Sequence, residues 1–159
     1  MSTRAAVITV SDRSSSGHRH DAGGPIAVAA LRDAGFECGD ATIVPDGAES
    51  VAQALRTAIA AGARVVVTTG GTGVAPRDET PEGTALVLEH DVPGIADELR
   101  RLGTAELPQG MLSRGRSGIA QGALVVNLPG SPNAVTTGMP VILSVASHVV
   151  RQLDGADHP

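Results

Sequence analysis

The sequence contains no lysine, tryptophan or tyrosine, and Phe36 is its only aromatic residue. The absence of lysine excludes a P-loop, whose phosphate grip needs a lysine, and it excludes Schiff-base chemistry on a lysine amine. With one aromatic residue, the chain also lacks the stacking platform on which single-stranded nucleic acids bind. A flat ring bound to this protein would have to be held by backbone, aliphatic and guanidinium groups.

Cysteine and positive charge are scarce as well. Cys38 is the only cysteine, which excludes an intramolecular disulfide and a cysteine-based zinc cluster. The 12 basic residues, all arginine, are outnumbered by 17 acidic ones, and no basic stripe marks a nucleic-acid binder. The apolar stretch around residues 140–146 is far shorter than the ~20 residues that cross a bilayer, and a strand-like start at Arg4 leaves no room for a signal peptide. We therefore expect a cytoplasmic protein that binds neither nucleic acid nor membrane.

The length and the hydrophobic pattern predict a single α/β domain spanning residues 1–159. Apolar, β-branched runs predict strands at Arg4–Val10, Cys38–Val44, Arg64–Thr69 and Ala123–Leu128. Helical spacing, proline starts and glycine stops predict helices at Pro25–Ala34, Ala48–Ala61, Thr80–His90 with Thr80 as N-cap, and Pro93–Leu102. A last helical region reaches Leu153, and we expect Gly138 and Pro140 to split it. Because the strands are apolar throughout, the pattern favours a mostly parallel sheet with helices on both faces.

Polar or glycine-rich segments follow each of the four predicted strands. They are Ser11-Asp12-Arg13; Pro45-Asp46-Gly47; Thr69 with Gly70, Gly71, Thr72 and Gly73, continuing to Arg77 and Asp78; and Asn127 to Ser131 with Pro129 and Gly130. Ligands of open α/β sheets bind beyond the carboxyl ends of the strands. In a parallel sheet all four segments lie along one edge, so the sequence predicts a site where they converge.

Each of these segments has a functional interpretation and a structural alternative. The amides of Gly70–Gly73 could form a nest for a phosphate, or the glycines could only make a tight turn. Asp46 and Asp78 could hold Mg²⁺ against a triphosphate, or be a turn residue and a surface charge. Arg77 and Arg114 could bind anionic substrates through bidentate hydrogen bonds, or be solvated surface side chains.

Taken together, these segments resemble the MogA/MoaB family of molybdenum-cofactor biosynthesis proteins, which includes the gephyrin G domain. The matching stretches are TVSDRSSSG at 9–17, VPDG at 44–47, TTGGTGVAPRDETPE at 68–82, VPGIADELR at 92–100, MLSRGRSGI at 111–119 and NLPGSPNAV at 127–135. They lie in collinear order along nearly the whole chain. The pattern TTGGTG-x-x-PRD-x-TPE is long and specific.

The resemblance implies a three-layer α/β/α fold, a mostly parallel central sheet, and assembly as a homotrimer or hexamer. It implies a molybdopterin adenylyltransferase, which uses Mg²⁺ and ATP, transfers AMP to molybdopterin and releases pyrophosphate. The product then passes to a molybdenum insertion protein. The family's two essential aspartates match Asp46 and Asp78, which would be catalytic and would hold the metal. The residues expected to bind nucleotide and pterin are Ser11, Asp12, Arg13, Thr69, Gly70, Gly71, Thr72, Gly73, Arg77, Ser113, Arg114, Asn127, Pro129, Gly130 and Ser131.

One position departs from the family pattern, because Asn133 stands where many relatives carry a lysine. One fewer cation near a phosphate would weaken turnover. A second interpretation is therefore a catalytically silent, oligomeric molybdopterin-binding protein or scaffold. A third is a nucleotide hydrolase of the competence-damage type, whose glycine loop is similar but which the continuation PRD-x-TPE disfavours.

Overall fold

The structure of the protein, a computed structural model, describes residues 2–157. Within them, seven strands form one sheet: β1 (Arg4–Val10), β2 (Glu37–Cys38), β3 (Thr42–Val44), β4 (Val65–Thr69), β5 (His90–Asp91), β6 (Ser117–Ala120) and β7 (Ala123–Leu128). The strand order is β2-β1-β4-β7-β6-β5, and β3 also pairs with β1. The strands β1 to β4 and β7 are parallel, whereas β6 and β5 run antiparallel at one edge.

Helices cover both faces of this sheet. They are α1 (Asp12–Ser15), α2 (Gly23–Asp33), α3 (Ala48–Ala60), α4 (Thr80–Ala85), α5 (Pro93–Glu106), a 3-10 helix (Pro108–Leu112) and α6 (Pro132–Leu153). Residues of α2, α5 and α6 share one core with the sheet, and α3 builds a second core on the opposite face. The predicted three-layer α/β/α fold with a mostly parallel sheet is confirmed.

Neighbouring residues of each strand point to opposite faces of the sheet. In β4, Val65 and Val67 pack with α2 and α6, whereas Val66 packs with α3. Burial on both sides explains why this strand is a continuous run of valines. The same alternation directs Thr69 toward the α2 face and Thr68 toward the α3 face, at the carboxyl end of the strand.

Two of the predicted elements differ clearly in extent from those in the structure. The segment 38–44 forms two short strands rather than one, and both pair with β1. The helix predicted at Thr80–His90 ends at Ala85, because the Glu89 amide donates to the Ile119 carbonyl (2.8 Å) and brings the chain into the sheet. Thr80 is the first residue of that helix, and Glu79 is its N-cap.

The last helix is continuous, so the prediction that Gly138 and Pro140 split it is wrong. Pro140 and Thr136 both lie on the exposed side, where water can satisfy the Thr136 carbonyl that proline leaves without a partner. By length and composition α6 is also the one helix within residues 2–157 that could cross a membrane. One of its sides nevertheless lies in the protein core, through Met139, Ile142 and other residues.

The continuity of α6 predicts the effect of replacing Pro140 with alanine. Restoring the amide removes a cost of about 3 kcal/mol for an interior proline, and the more flexible unfolded chain offsets about 1 kcal/mol of this gain. We expect the free energy of unfolding to rise by about 2 kcal/mol in urea denaturation. An unchanged or lower value would indicate that the helix does not run through this position.

Candidate functional site

A cavity of about 890 Å³ opens where the parallel strands β1, β4 and β7 end. Val10, Thr69 and Leu128, at the ends of these strands, contribute to its wall. The loops that follow the strands and the starts of the next helices complete the lining. The cavity therefore lies at the edge of the sheet where the sequence predicts a site.

All four backbone carbonyls of the loop Gly70–Gly73 after β4 accept hydrogen bonds from the protein. Thr80 holds the first two, since its hydroxyl donates to the Gly70 carbonyl (2.9 Å) and its amide to the Gly71 carbonyl (3.0 Å). Arg114 holds the other two, since its amide donates to the third carbonyl (2.8 Å) and its Nε to the fourth (2.8 Å). Two residues distant in sequence thus fix the orientation of every peptide in the loop.

This arrangement turns the loop amides toward the cavity. A trans peptide is planar, and its N–H points away from its C=O. Because each carbonyl is bonded to Thr80 or Arg114, the amides of Gly71, Thr72, Gly73 and Val74 are directed away from these two residues, and all four residues line the cavity. No acceptor within residues 2–157 receives a hydrogen bond from these four amides. Successive amides of this kind form a concave binding site for an anion.

Glycine is required at two positions of this loop. Gly70 and Gly71 have φ angles of +94° and +67°, in the left-handed region that other residues rarely adopt. A Cβ at Gly70 would lie 2.3 Å from the Val10 carbonyl oxygen, and one at Gly71 would lie 2.3 Å from the Thr80 hydroxyl. The turn can therefore form only without side chains at these two positions.

Two carboxylates lie against this loop. A Cβ at Gly71 would be 3.1 Å from Asp46 Oδ1, and one at Gly73 would be 2.9 Å from Asp78 Oδ2. The Asp78 carboxylate also accepts a hydrogen bond from the Ala75 amide (3.2 Å), which fixes its orientation. Two aspartates that are 32 positions apart in the sequence thus lie beside the same run of amides.

Asp46 is positioned by a reciprocal contact with Asp12. The Asp12 amide donates to Asp46 Oδ2, and the Asp46 amide donates to Asp12 Oδ1, both at 3.0 Å. Arg77 makes a bidentate pair with the Asp12 carboxylate (3.1 and 3.2 Å) and donates to the Asp46 carbonyl (3.0 Å). Arg77 therefore stabilises the loop that carries Asp46 instead of pointing its guanidinium into the cavity.

The pKa values of Asp12 and Asp46 are shifted in opposite directions. The hydrogen bond from Arg77 lowers the pKa of Asp12 below its ordinary value. Burial raises the pKa of Asp46, and the negative charges of Asp12 and Asp78 raise it further against the lowering effect of the Asp12 amide. The carboxylate of Asp46 is therefore destabilised by its surroundings, as expected where a cation is to be bound.

Arg114 was predicted to bind an anionic substrate, but its contacts are with the protein. Besides holding two loop carbonyls, its guanidinium donates to the Asp78 carbonyl (2.7 Å) and pairs with Glu82 (2.6 Å). Arg114 does not line the cavity. Its observed role is to position the glycine loop and the segment that carries Asp78.

The Asn127 side chain is likewise occupied by the protein. Its Nδ2 donates to the hydroxyls of Thr68 (2.9 Å) and Thr84 (3.0 Å), and its Oδ1 accepts from the Arg116 amide (3.0 Å). Asn127 is 2% exposed. It ties β7 to β4 and α4 beneath the cavity.

The structure brings most of the predicted residues to one cavity. Thirteen of them line it: Ser11, Asp46, Thr69, Gly70, Gly71, Thr72, Gly73, Asp78, Ser113, Asn127, Pro129, Gly130 and Ser131. The four that do not are Asp12, Arg13, Arg77 and Arg114. Arg13 is exposed in α1, where its carbonyl accepts from the His18 and Arg19 amides.

Sequence reasoning missed several residues of the cavity wall, most of them on the side of α2, α5 and α6. The main ones are Asp21, Arg100 and Glu106. Asp21 could have been found, because it is a charged residue two positions before the start of α2 at the same edge of the sheet. Glu106 could not, since its position depends on how the end of α5 packs beside the start of α6.

Comparison with known proteins gives one family and many relatives. The pattern of the family described as a probable molybdopterin binding domain matches residues 6–148. The chain is 39% identical, over 97% of its length, to a molybdenum cofactor biosynthesis bifunctional protein of Synechococcus elongatus. It spans 48% of that protein and 50% of a similar one, and so about half the length of these relatives.

Two further matches cover the relatives almost completely. A molybdopterin adenylyltransferase of Pyrococcus furiosus is 39% identical over 91% of this chain and 88% of that protein. Among solved structures, the molybdopterin biosynthesis Mog protein of Mycobacterium ulcerans has a TM-score of 0.90 and 40% identity, over 96% of this chain and 99% of that chain.

The contacts of Arg114 predict a loss of stability when its guanidinium is removed. In Arg114→Met the loop and the Asp78 segment lose charge-assisted hydrogen bonds, which is expected to lower the free energy of unfolding by about 1–3 kcal/mol. The Thr80 amide, which bonds the Gly71 carbonyl, is expected to exchange faster with deuterium. Arg101→Met, which removes only an exposed pair with Glu98, serves as the control. Equal stability and exchange in both variants would contradict the role of Arg114.

The raised pKa of Asp46 predicts that Asp46→Asn stabilises the ligand-free protein. At a pH above the raised pKa the aspartate is ionised in both states, so the folded state carries the cost of burial and repulsion. As the pH falls through the raised pKa of the folded state, wild-type protein becomes protonated and this cost disappears. The gain from asparagine should therefore be present at pH 7 and shrink toward pH 3, as measured by urea denaturation. A gain that does not depend on pH, or one shared by the exposed control Asp157→Asn, would count against it.

Proposed function

Because this chain belongs to the family of probable molybdopterin-binding domains, we propose that it is a molybdopterin adenylyltransferase of molybdenum-cofactor biosynthesis. It binds ATP and molybdopterin, transfers AMP to the terminal phosphate of molybdopterin, and releases pyrophosphate. A molybdopterin adenylyltransferase that is 39% identical over 91% of the chain supports this reaction.

The observation that carries the proposal is the pairing of an amide nest with two carboxylates at one loop. The four amides of Gly71–Val74 face the cavity, and Asp46 and Asp78 lie beside Gly71 and Gly73. Amides bind phosphate oxygens directly, and carboxylates bind a cation that phosphates also coordinate. A polyphosphate is the ligand that uses both.

The residues present fit a bound Mg²⁺ held by Asp46 and Asp78. Burial and two neighbouring negative charges raise the pKa of Asp46, and a cation would relieve that repulsion. Residues 2–157 contain no group of three or more metal-ligating side chains. This suits Mg²⁺, which is commonly held by one or two carboxylates together with substrate phosphates and water. Bound there, it would neutralise phosphate charge.

The transfer needs no nucleophile from the protein. An oxygen of the molybdopterin phosphate attacks the α-phosphorus of ATP, a new P–O–P bond forms, and the bond to the β-phosphate breaks so that pyrophosphate leaves. The chain positions both anions and stabilises developing charge through the loop amides. The absence of lysine and the position of buried Cys38 outside the cavity are compatible with this chemistry.

Assembly as a homotrimer or hexamer and transfer of the product to a molybdenum insertion protein are parts of the proposal that come from the family resemblance. A cytoplasmic location without nucleic-acid partners is a part that comes from the composition of the chain. Ligand contacts by Ser11, Ser113, Pro129, Gly130 and Ser131, which line the cavity, are part of the same proposal.

One observation favours the silent molybdopterin-binding scaffold as a second candidate. The Asn133 side chain donates through Nδ2 to Glu106 Oε2 (2.6 Å) at the cavity wall. This position therefore supplies no positive charge to a phosphate, and its neighbour is a carboxylate. A protein that bound the pterin without adenylylating it would share every other feature of the site.

The proposal predicts that protein incubated with ATP, Mg²⁺ and molybdopterin forms adenylylated molybdopterin, detected by mass, and equal amounts of pyrophosphate. Asp78→Asn can keep the acceptor for the Ala75 amide but loses the charge that holds the cation. We expect turnover to fall at least about 100-fold with the fold retained. Asp40→Asn, at an exposed position outside the cavity, should retain wild-type turnover.

Three outcomes would contradict this assignment in different ways. Binding of molybdopterin without release of pyrophosphate would identify the scaffold. Hydrolysis of ATP without molybdopterin would indicate the nucleotide hydrolase. Undiminished AMP transfer by Asp78→Asn would exclude a catalytic or metal-binding role for that aspartate.

A further inference from the structure

The cavity contains a third aspartate that the proposed transfer does not use. Asp21 lines the cavity on the α2 side of the sheet, whereas Asp46 and Asp78 flank the glycine loop. The Thr9 hydroxyl donates to Asp21 Oδ2 (2.7 Å), and the Gly24 amide donates to Asp21 Oδ1 (3.0 Å). One donor from β1 and one from α2 therefore fix this carboxylate.

The carboxylate is held in a closely packed corner. A Cβ at Gly24 would come within 2.2 Å of Asp21 Oδ2 and 2.5 Å of Thr9 Oγ1, so no larger residue fits behind it. A carboxylate has about four acceptor positions, and the two protein donors occupy two. The structure thus presents a pre-oriented carboxylate with acceptor capacity left for a ligand in the cavity.

The chemistry of the substrates limits what this carboxylate can bind. It repels the phosphates, for which the loop amides on the other side of the sheet edge provide donors. Its partner must therefore be a pair of hydrogen-bond donors. The pterin ring has such a pair in its 2-amino group and the adjacent N3–H, whereas the adenine edge presents a donor beside an acceptor. A carboxylate matches two adjacent donors, since it has two acceptor oxygens in one plane.

We infer that Asp21 recognises the 2-amino and N3–H edge of the pterin, which makes the α2 side of the cavity the pterin compartment and the glycine-loop side the polyphosphate compartment. This inference rests on the proposed function. It adds a residue that selects the pterin and takes no part in AMP transfer itself. The proposed contact explains why a site for anions contains a fixed carboxylate besides Asp46 and Asp78.

The test compares two ring probes that differ only at the recognised edge. Pterin carries the 2-amino group, and lumazine carries an oxygen in its place. The affinities of wild-type protein, Asp21→Asn and Asp33→Asn are measured by fluorescence titration with each probe and by calorimetry with ATP. Asp33, at the exposed far end of α2, is the matched control. Thermal denaturation establishes that each variant is folded.

We expect wild-type protein and Asp33→Asn to bind pterin at least about 10-fold more tightly than lumazine, because the Asp21 carboxylate would face an acceptor in lumazine. Asp21→Asn should lose this preference while its affinity for ATP is unchanged. In the adenylylation assay it should raise the KM for molybdopterin about 10-fold or more, with kcat and the KM for ATP near wild-type values.

The remaining outcomes separate this inference from the proposed function. If Asp21→Asn keeps the full preference for pterin, the inference is overturned. It is also overturned if Asp21→Asn loses affinity for ATP together with the preference for pterin. In both cases adenylylation by wild-type protein would stand. If the preference for pterin depends on Asp21 but the protein does not transfer AMP, the inference is supported and the proposed adenylyltransferase activity is contradicted. Wild-type protein that does not distinguish the probes overturns the inference outright.

Discussion

The candidate site depends on the hydrogen bonds that the four carbonyls of Gly70–Gly73 accept. Thr80, at the start of α4, and Arg114, in the loop before β6, supply the donors. Because each peptide is planar, holding a carbonyl also sets the direction of the next amide. The energy that orients the anion site therefore comes from contacts on the side away from the ligand. The glycines permit this conformation, but Thr80 and Arg114 select it.

The alternation of side chains at the ends of the strands divides the site between the two faces of the sheet. On one face Thr68 and Asn127 form a buried, fully paired cluster with Thr84, which gives the loop above it a rigid floor. On the other face the Thr9 hydroxyl, 3.5 Å from that of Thr69, orients Asp21 toward the cavity. Of two consecutive residues at the end of a strand, one therefore points into the core and the next toward the cavity.

The sequence allowed the parallel strands and the site edge to be predicted, because continuous valine runs and glycine-rich strand ends are local signals. It did not reveal the hairpin of β6 and β7, whose turn at Gln121-Gly122 has positive φ angles (48° and 78°) but no asparagine or aspartate to mark it. Nor could the sequence show that Arg114 forms hydrogen bonds with the protein, because its partners at Gly73 and Asp78 are 41 and 36 positions away. Such roles depend on tertiary geometry alone.

The distribution of charge explains how an acidic chain without lysine can accommodate polyphosphate. Arg77 is paired with Asp12 and Arg114 with Glu82, so neither is a free cation at the loop. The hydrogen-bond donors left at the loop are uncharged amides, and Asp46 and Asp78 add negative charge beside them. In the proposed function this balance would make polyphosphate binding depend on a divalent cation held by Asp46 and Asp78. Without such a cation the two carboxylates would repel the phosphates, so these residues would favour ATP only together with its metal.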